Sequence, residues 1–268
     1  MISINTNYGS LFASKAAGAA QKTMNSAMER LSSGLRINNA KDDAAGQGIA
    51  TRITAQVQGL KMASRNASDA QSMIDTAEAA HQEVHNMLLR MREIAVQAAN
   101  DTLGDSDRTA LNAEVTALEK EIKSISDNTT FAGKNINAST QTVFQIGRAN
   151  TNTLTVIFKD FDTSAIGADV GMTTAGTARS ALAKIDAAIS TISTRRGELG
   201  AFSNRLSSVI ANLDNIAVNL ASARGRIQDT DFAQETSNLA KSQIMQQAAT
   251  AMLAQANASK QTVLALIQ

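Results

Sequence analysis

The sequence predicts a mainly α fold: a long coiled-coil helical rod built from the N- and C-terminal segments, with one small β-hairpin in the middle. Three observations carry this. The 268 residues contain no proline, where average usage of about 5% would give about 13, and proline breaks helix interiors by removing a donor and clashing with the preceding turn. Residues 60–98 and 182–227 each hold an apolar alternation of three- and four-residue steps, the seam of a helix that faces another helix along its length. Between them lies a stretch rich in glycine, asparagine and threonine, where apolar residues recur with period two.

Composition removes several function classes. A net charge of +1 supplies no basic field for nucleic acid. With no cysteine, disulfides and thiolate ligands are impossible. No apolar run approaches the ~18 residues that span a bilayer, so membrane insertion is not expected. Met1–Tyr8 lacks the basic-then-apolar layout of a cleavable secretion signal, and export would need another route. No tryptophan, one tyrosine and seven phenylalanines leave little for a bulky core.

Taken in order, residues 13–35 carry an alanine-rich seam of Ala13, Ala17, Ala20, Met24, Ala27 and Leu31. So thin a face cannot offset roughly 1–2 kcal/mol of ordering entropy per residue, and the segment is expected to order only against a partner. Gly34, Asn38, Asn39 and the Asp42–Asp43 pair break the periodicity, with Asp42 or Asp43 as the cap of the next helix. That helix carries Leu60, Ala63, Ala67, Ala70, Ile74, Ala77, His81, Val84, Leu88, Met91, Ala95 and Ala98. These 39 residues make a rod of roughly 58 Å. A turn over 100–107 follows, with Ser106 or Asp107 as a cap. A third helix, with its seam in Leu111, Val115, Leu118, Ile122 and Ile125, ends near Asp127–Asn128.

Phe144 and Ile146, then Leu154, Val156 and Phe158, predict an antiparallel hairpin turned over 147–152. One hairpin is marginal alone, so it should lie on the helices. The richest seam comes next: Leu182, Ile185, Ile189, Ile192, Arg196, Leu199, Ser203, Leu206, Ile210, Leu213, Ala217, Leu220, Arg224 and Ile227. Its large side chains suit the alanines of 60–98. The final segment places Met245, Ala249, Met252, Ala256, Ser259, Val263 and Leu266 on one stripe. It matches residues 13–35 in thinness, so the two ends suit each other or copies of themselves.

Little here suggests chemistry. Glu78, His81 and His85 share a helix face, but in His-Gln-Glu-Val-His the glutamate sits one place too late for the zincin base. His81 at a seam position reads as a core histidine with one hydrogen bond. Two histidines on one coiled-coil helix do not make a hydrolase triad, and no glycine-rich phosphate loop follows a strand. No cofactor is expected. Arg196 and Arg224 read either as stems laid along the interface or as specific buried pairs.

Arg30–Gly46 (RLSSGLRINNAKDDAAG), Ser64–Asp69 (SRNASD), Thr76–Glu78 and Leu89–Asn100 (LRMREIAVQAAN) resemble the N-terminal signature of bacterial flagellin. Leu199–Arg205 (LGAFSNR), Asn219–Arg224, Ile227–Ala233 and Gln246–Asn257 resemble its C-terminal signature. The likeness covers about 1–135 and 180–268, and it implies a minimal flagellin whose middle is cut to some fifty residues. On that reading residues 1–44 and 228–268 form an inner filament-core domain, and 45–227 form a rod domain with the hairpin within about 129–174.

The resemblance implies a secreted, non-enzymatic subunit that polymerises with itself into the extracellular flagellar filament. An export chaperone, a filament cap and hook-junction proteins are its implied partners. The terminal seams are the implied assembly elements. Leu60, Ile74, Val84, Leu88 and Met91 with Leu182, Ile189, Leu199, Leu206 and Leu213 form the rod seam. Leu89, Arg90, Glu93 and Glu114 match the patch read by the host innate flagellin receptor, or else make a lateral subunit contact. Ala40, Gln47, His81 and Leu89 depart from the family pattern. The alternatives are a hook–filament junction protein and, in another class, a signalling coiled coil.

Overall fold

A computed structural model describes residues 6–137 and 139–265. Its elements are α1 (Tyr8–Ser33), α2 (Ala44–Ala98), α3 (Asp105–Asn128), β1 (Thr130–Phe131), β2 (Lys134–Asn135), β3 (Thr140–Gln145), β4 (Thr153–Phe158), α4 (Thr163–Ile166), α5 (Ala175–Gln228) and α6 (Phe232–Ala265). The mainly helical class with a central hairpin is what the proline-free, 3-4 periodic sequence predicts. The chain divides into two compact units. One holds the described residues up to Ala55 with those from Asn219 onward, and the other runs from Gln56 to Val218.

In the first unit α1 and α6 pair. Asn7 caps α1 by accepting from the Ser10 amide at 3.2 Å, and Gly34 ends it with φ 73°, its amide donating to Arg30 O. A left-handed residue closes the last turn there, and glycine adopts it without a Cβ clash. A backbone clamp follows. Leu35 and Asp229 form an antiparallel bridge, the Arg36 amide donates to Gln228 O at 2.7 Å, and the Thr230 amide donates to Gly34 O at 3.0 Å. Asp42 and Asp43 divide the capping work. Asp42 accepts from the amides of Asn38 and Asn39, which draws its pKa down. Asp43 is the cap proper, taking the Gly46 amide at 2.9 Å.

The second unit has two packed regions. In one, Val84, Leu88, Met91 and Ile94 of α2 meet Val115 and Ile122 of α3 and Ile185 and Ile192 of α5. The loop after β4 closes this core with Phe161, Ile166, Val170 and Met172. In the other, Ala67, Ala70, Ile74 and Ala77 of α2 and Leu199 and Leu206 of α5 receive Leu154, Val156 and Phe158 from the inner face of β4. Strands β3 and β4 pair antiparallel with Phe144 opposite Leu154, as the period-two pattern requires. Val143 and Ile157 face outward.

Four sequence expectations need correction. A second small hairpin, β1–β2, turns at Ala132 and Gly133, both with positive φ. Strands of two residues are too short to show a period. Neither Ser106 nor Asp107 is the residue before α3; that residue is Gly104, whose amide donates to Asp107 Oδ2 at 3.1 Å. Leu182 and Ile189 are only half buried, because the inner positions of α5 run Ala178, Ala181, Ile185, Ala188, Ile192. That frame shares Ile185 and Ile192 with the expected one, but it puts alanines opposite the large residues of α2. His81 is buried as expected, but its Nδ1 has no hydrogen-bond partner, and neither does that of His85.

Arg108 ties the turn after α2 together. It is 7% exposed and donates to Ala98 O at 3.1 Å, Asn100 O at 3.0 Å and Asp105 Oδ1 at 3.2 Å. A cation at a helix C-terminus meets the negative end of the dipole while filling orphan carbonyls. Arg108→Ala is expected to lower stability by about 2 kcal/mol, read from the denaturant midpoint. Arg108→Lys should recover only part of this, since one ammonium cannot fork to both carbonyls.

Candidate assembly surfaces

The surfaces of the first unit follow from how little α1 and α6 can bury. Ala13, Ala20 and Ala27, seven residues apart, are the buried positions of α1, with Ala17, Met24 and Leu31 half buried beside them. This is the seam that the sequence predicts. Opposite it, α6 keeps Ala249 and Ala256 of the expected stripe in the seam but not its methionines. Glu235, Ser242 and Ala249 are buried and Leu239, Gln246, Leu253 and Ala256 half buried, whereas Met245 and Met252 are 47% and 51% exposed. Val263 lies in α6 with its side chain outside the described set, and Leu266 lies outside the described residues.

The pairing is antiparallel, and its register is set by polar groups. Asn7 Nδ2 donates to Ala256 O at 3.0 Å, Gln246 Nε2 donates to Gln21 Oε1, and Arg30 sits 3.8 Å from Glu235. Glu235 and Gln246 thus meet polar partners across the seam, while Ser242 donates to Asn238 O of its own helix at 2.8 Å; a shifted register would strand the two cross-seam pairs. Apolar counting missed Glu235, Ser242 and Gln246; the available signal was that Glu235, Ser242 and Ala249 stand seven apart, with Gln246 three before Ala249.

With the seam occupied by small and polar residues, the larger apolar side chains point away. Tyr8, Leu11 and Phe12 of α1 and Ile244, Met245 and Met252 of α6 are 47–73% exposed. Phe12 and Met252 flank a shallow groove of about 350 Å³ floored by Gly9, Ala13 and Ala256. A monomer gains nothing by presenting aromatic and aliphatic groups to water, and clustered exposure of this kind marks an interaction surface.

In the second unit Leu60, Ile74, Val84, Leu88, Met91, Leu199, Leu206 and Leu213 are buried and therefore hold the fold rather than a partner. Polar residues also cross the seam. Arg196 donates to Glu78 Oε1 from Nε at 3.0 Å and Nη2 at 2.8 Å, which engages the carboxylate that the histidine pair would need. The structure brings the other predicted group together on the surface. Arg90 Nε donates to Glu114 Oε1 at 3.0 Å and Nη1 to Glu93 Oε2 at 3.0 Å. Glu114, then Glu93, raise the Arg90 pKa. Leu89 and Val96 lie exposed, seven residues apart on α2.

Among the described residues no cluster of three metal-ligating side chains occurs, and no helix is long and apolar enough to cross a membrane. The geometry defines a helical structural subunit whose terminal pair presents its apolar side chains outward. Residues 4–142 match the family model for the bacterial flagellin N-terminal helical region, and 182–267 match that for the C-terminal helical region. The chain belongs to the bacterial flagellins, the structural subunits of the extracellular flagellar filament, and it is not an enzyme.

It is 42% identical to a flagellin of Halalkalibacterium halodurans over 99% of both chains. It is 40% identical to the Bacillus subtilis flagellin over 90% of this chain and 91% of that one. Polar flagellin F of Vibrio parahaemolyticus aligns at 33% identity over 374 positions, covering 99% of both, so that relative is the longer protein. The crystal structure of Bacillus cereus flagellin matches with a TM-score of 0.52 at 32% identity, over 60% of this chain and 94% of that one. A putative flagellar hook-associated protein from Vibrio parahaemolyticus has a TM-score of 0.61 at 14% identity, over 70% of this chain and all of that one; this likeness concerns the fold alone.

Ala27 is fully buried and Met252 half exposed, so they should respond oppositely to substitution. Ala27→Leu overfills the seam and is expected to destabilise the first unit by about 1–3 kcal/mol. Met252→Ser should stay within about 0.5 kcal/mol of wild type. Helicity followed against denaturant checks the first in assembled protein and the second in the dilute subunit.

Proposed function

We propose that polymerisation of this flagellin is coupled to ordering of its two terminal helices, which form an inner layer completed by neighbouring copies. The supporting observation is the division of apolar residues on α1 and α6: alanine, serine and glutamate fill their mutual seam, and Phe12, Ile244, Met245 and Met252 face out. Burying such groups against a second copy adds roughly 1.5–3 kcal/mol for each large side chain. That gain is what the thin intramolecular seam lacks. The repeated contact is heterologous and non-closing, which yields a fibre rather than a ring. Residues 1–44 and 228–268 serve as the inner filament-core domain, and 45–227 as the rod domain that keeps its own core.

Loosely held ends also suit passage through a narrow conduit, and secretion through a flagellar type III route follows from the family resemblance. The same resemblance supplies a chaperone for the C-terminal segment, a cap at the growing tip and hook-junction proteins as neighbours. For the patch of Leu89, Arg90, Glu93 and Glu114, exposure and clustering support a contact surface, either lateral between subunits or toward the host innate flagellin receptor. If Arg90→Ala leaves receptor activation by the free subunit unchanged, the receptor reading is lost.

Deleting residues 1–35 or 235–268 is expected to abolish filaments in electron micrographs of seeded assemblies, while the second unit keeps its helical circular dichroism and cooperative melt. Filaments from either truncated chain, or loss of that melt, would overturn the coupling. Met252→Ser should slow assembly without changing the stability of the dilute subunit.

A further inference from the structure

We infer that His81 is an acid-triggered release for the loop after the central hairpin: a proton on its imidazole drives Phe161, and the hairpin behind it, off α2 and α5. The ring of His81 is 3% exposed in the second unit and meets Phe161 edge-on, with centroids 4.7 Å apart. Phe161 is fully buried and belongs to the core shared by α2, α3 and α5. Nothing accepts a hydrogen bond from His81 Nδ1. The adjoining cavity, lined by Phe158, Lys159, Arg195, Glu198 and Phe202, has about 10 Å³, room for about one water.

The charges around the ring are unfavourable to an imidazolium. Arg195 and Arg196 reach it from α5. The carboxylates on the neighbouring elements serve other cations: Glu78, on its own helix, pairs with Arg196 at 2.8 Å; Glu198 of α5 pairs with Lys159 at 3.0 Å; Asp160, bonded to Ser126 Oγ at 2.8 Å and the Asp162 amide at 3.0 Å, acts with its charge on Arg195. His85, one turn along α2, carries a second Nδ1 with no protein hydrogen-bond partner. A cation on His81 thus has no protein acceptor on Nδ1, neighbouring carboxylates that serve Arg195, Arg196 and Lys159, and room for about one water in place of a hydration shell, and displacement of the neighbouring loop is the available relief.

Burial first, then Arg195 and Arg196, lower the His81 pKa from 6.5 to about 4. The unfolded chain binds this proton more readily than the folded one. The contribution of His81 to stability is therefore complete above pH 6.5 and lost as pH falls from 6.5 through about 4. Over that window the folded-to-unfolded ratio of the second unit should drop by up to about 300-fold through this residue alone.

The test follows the full chain in dilute solution. Thermal melts of wild type, His81→Leu and His85→Gln are recorded from pH 7 to 4, and the two histidine Hε1 resonances of the folded wild type are titrated, assigned with His85→Gln. The expected result is a fall in wild-type melting temperature toward pH 4 that His81→Leu flattens and His85→Gln keeps, with the His81 resonance titrating well below 6.5. Hydrogen exchange should quicken in the loop around Phe161 before α3 on acidification. Parallel melting curves for wild type and His81→Leu, or a His81 resonance titrating near 6.5, would overturn the inference. The resonance decides the matter even if His81→Leu does not fold.

Discussion

The alanine seam between α1 and α6 is the constraint on which the rest depends. Alanine lets two helices approach closely and carries the least helix-ordering penalty, but each buried methyl adds only about 0.8 kcal/mol. The residues that would deepen the seam are turned outward, and the seam is completed by Arg30 with Glu235 and Gln21 with Gln246. Polar pairs specify register more than they stabilise. A pair of helices built this way is accurately aligned and weakly held.

The second unit follows the opposite rule. Val84, Leu88, Met91, Ile122, Ile185 and Ile192 are all essentially inaccessible. Two aromatic residues, Phe158 and Phe161, close the helical layers from the hairpin and its following loop. Here the alanines of α2 fit a different purpose, since Ala67, Ala70 and Ala77 make room for β4 as well as for α5. Small residues thus mean close packing under a strand in one unit and a thin interface in the other, and what is packed against them decides which.

This difference sets what could be read from the sequence. Long helices, the paired hairpin with Phe144 opposite Leu154, and the α1 seam were legible because periodicity and turn residues are local properties. The α6 frame was not. Met245 and Met252 are the most apolar stripe on that helix, and a count of apolar residues places them inside. The true inner frame contains Glu235 and Gln246, and their partners lie more than two hundred positions away in sequence. On α5 the expected seam holds at Ile185, Ile192, Leu199, Leu206 and Leu213, while Ala181 and Ala188 take the centre of the core and Leu182 and Ile189 pack at its edge. Arg108 lay in plain view, but its role depends on two carbonyls that only the folded turn brings together.

The outward methionines and the inward histidine lead to one physical point. In a chain that must remain soluble as a subunit and cohere as a polymer, apolar residues cannot all be assigned to the interior of the monomer. Met245 and Met252 break the inside-apolar rule by facing out, and His81 breaks it by facing in. The first departure supplies surface for association; the second leaves a titratable group where an aliphatic one would pack better. Sequence patterns report the period of a helix, and the side of it that meets water is settled by partners. For α6 one such partner is α1, and the outward side is the one we propose other copies cover.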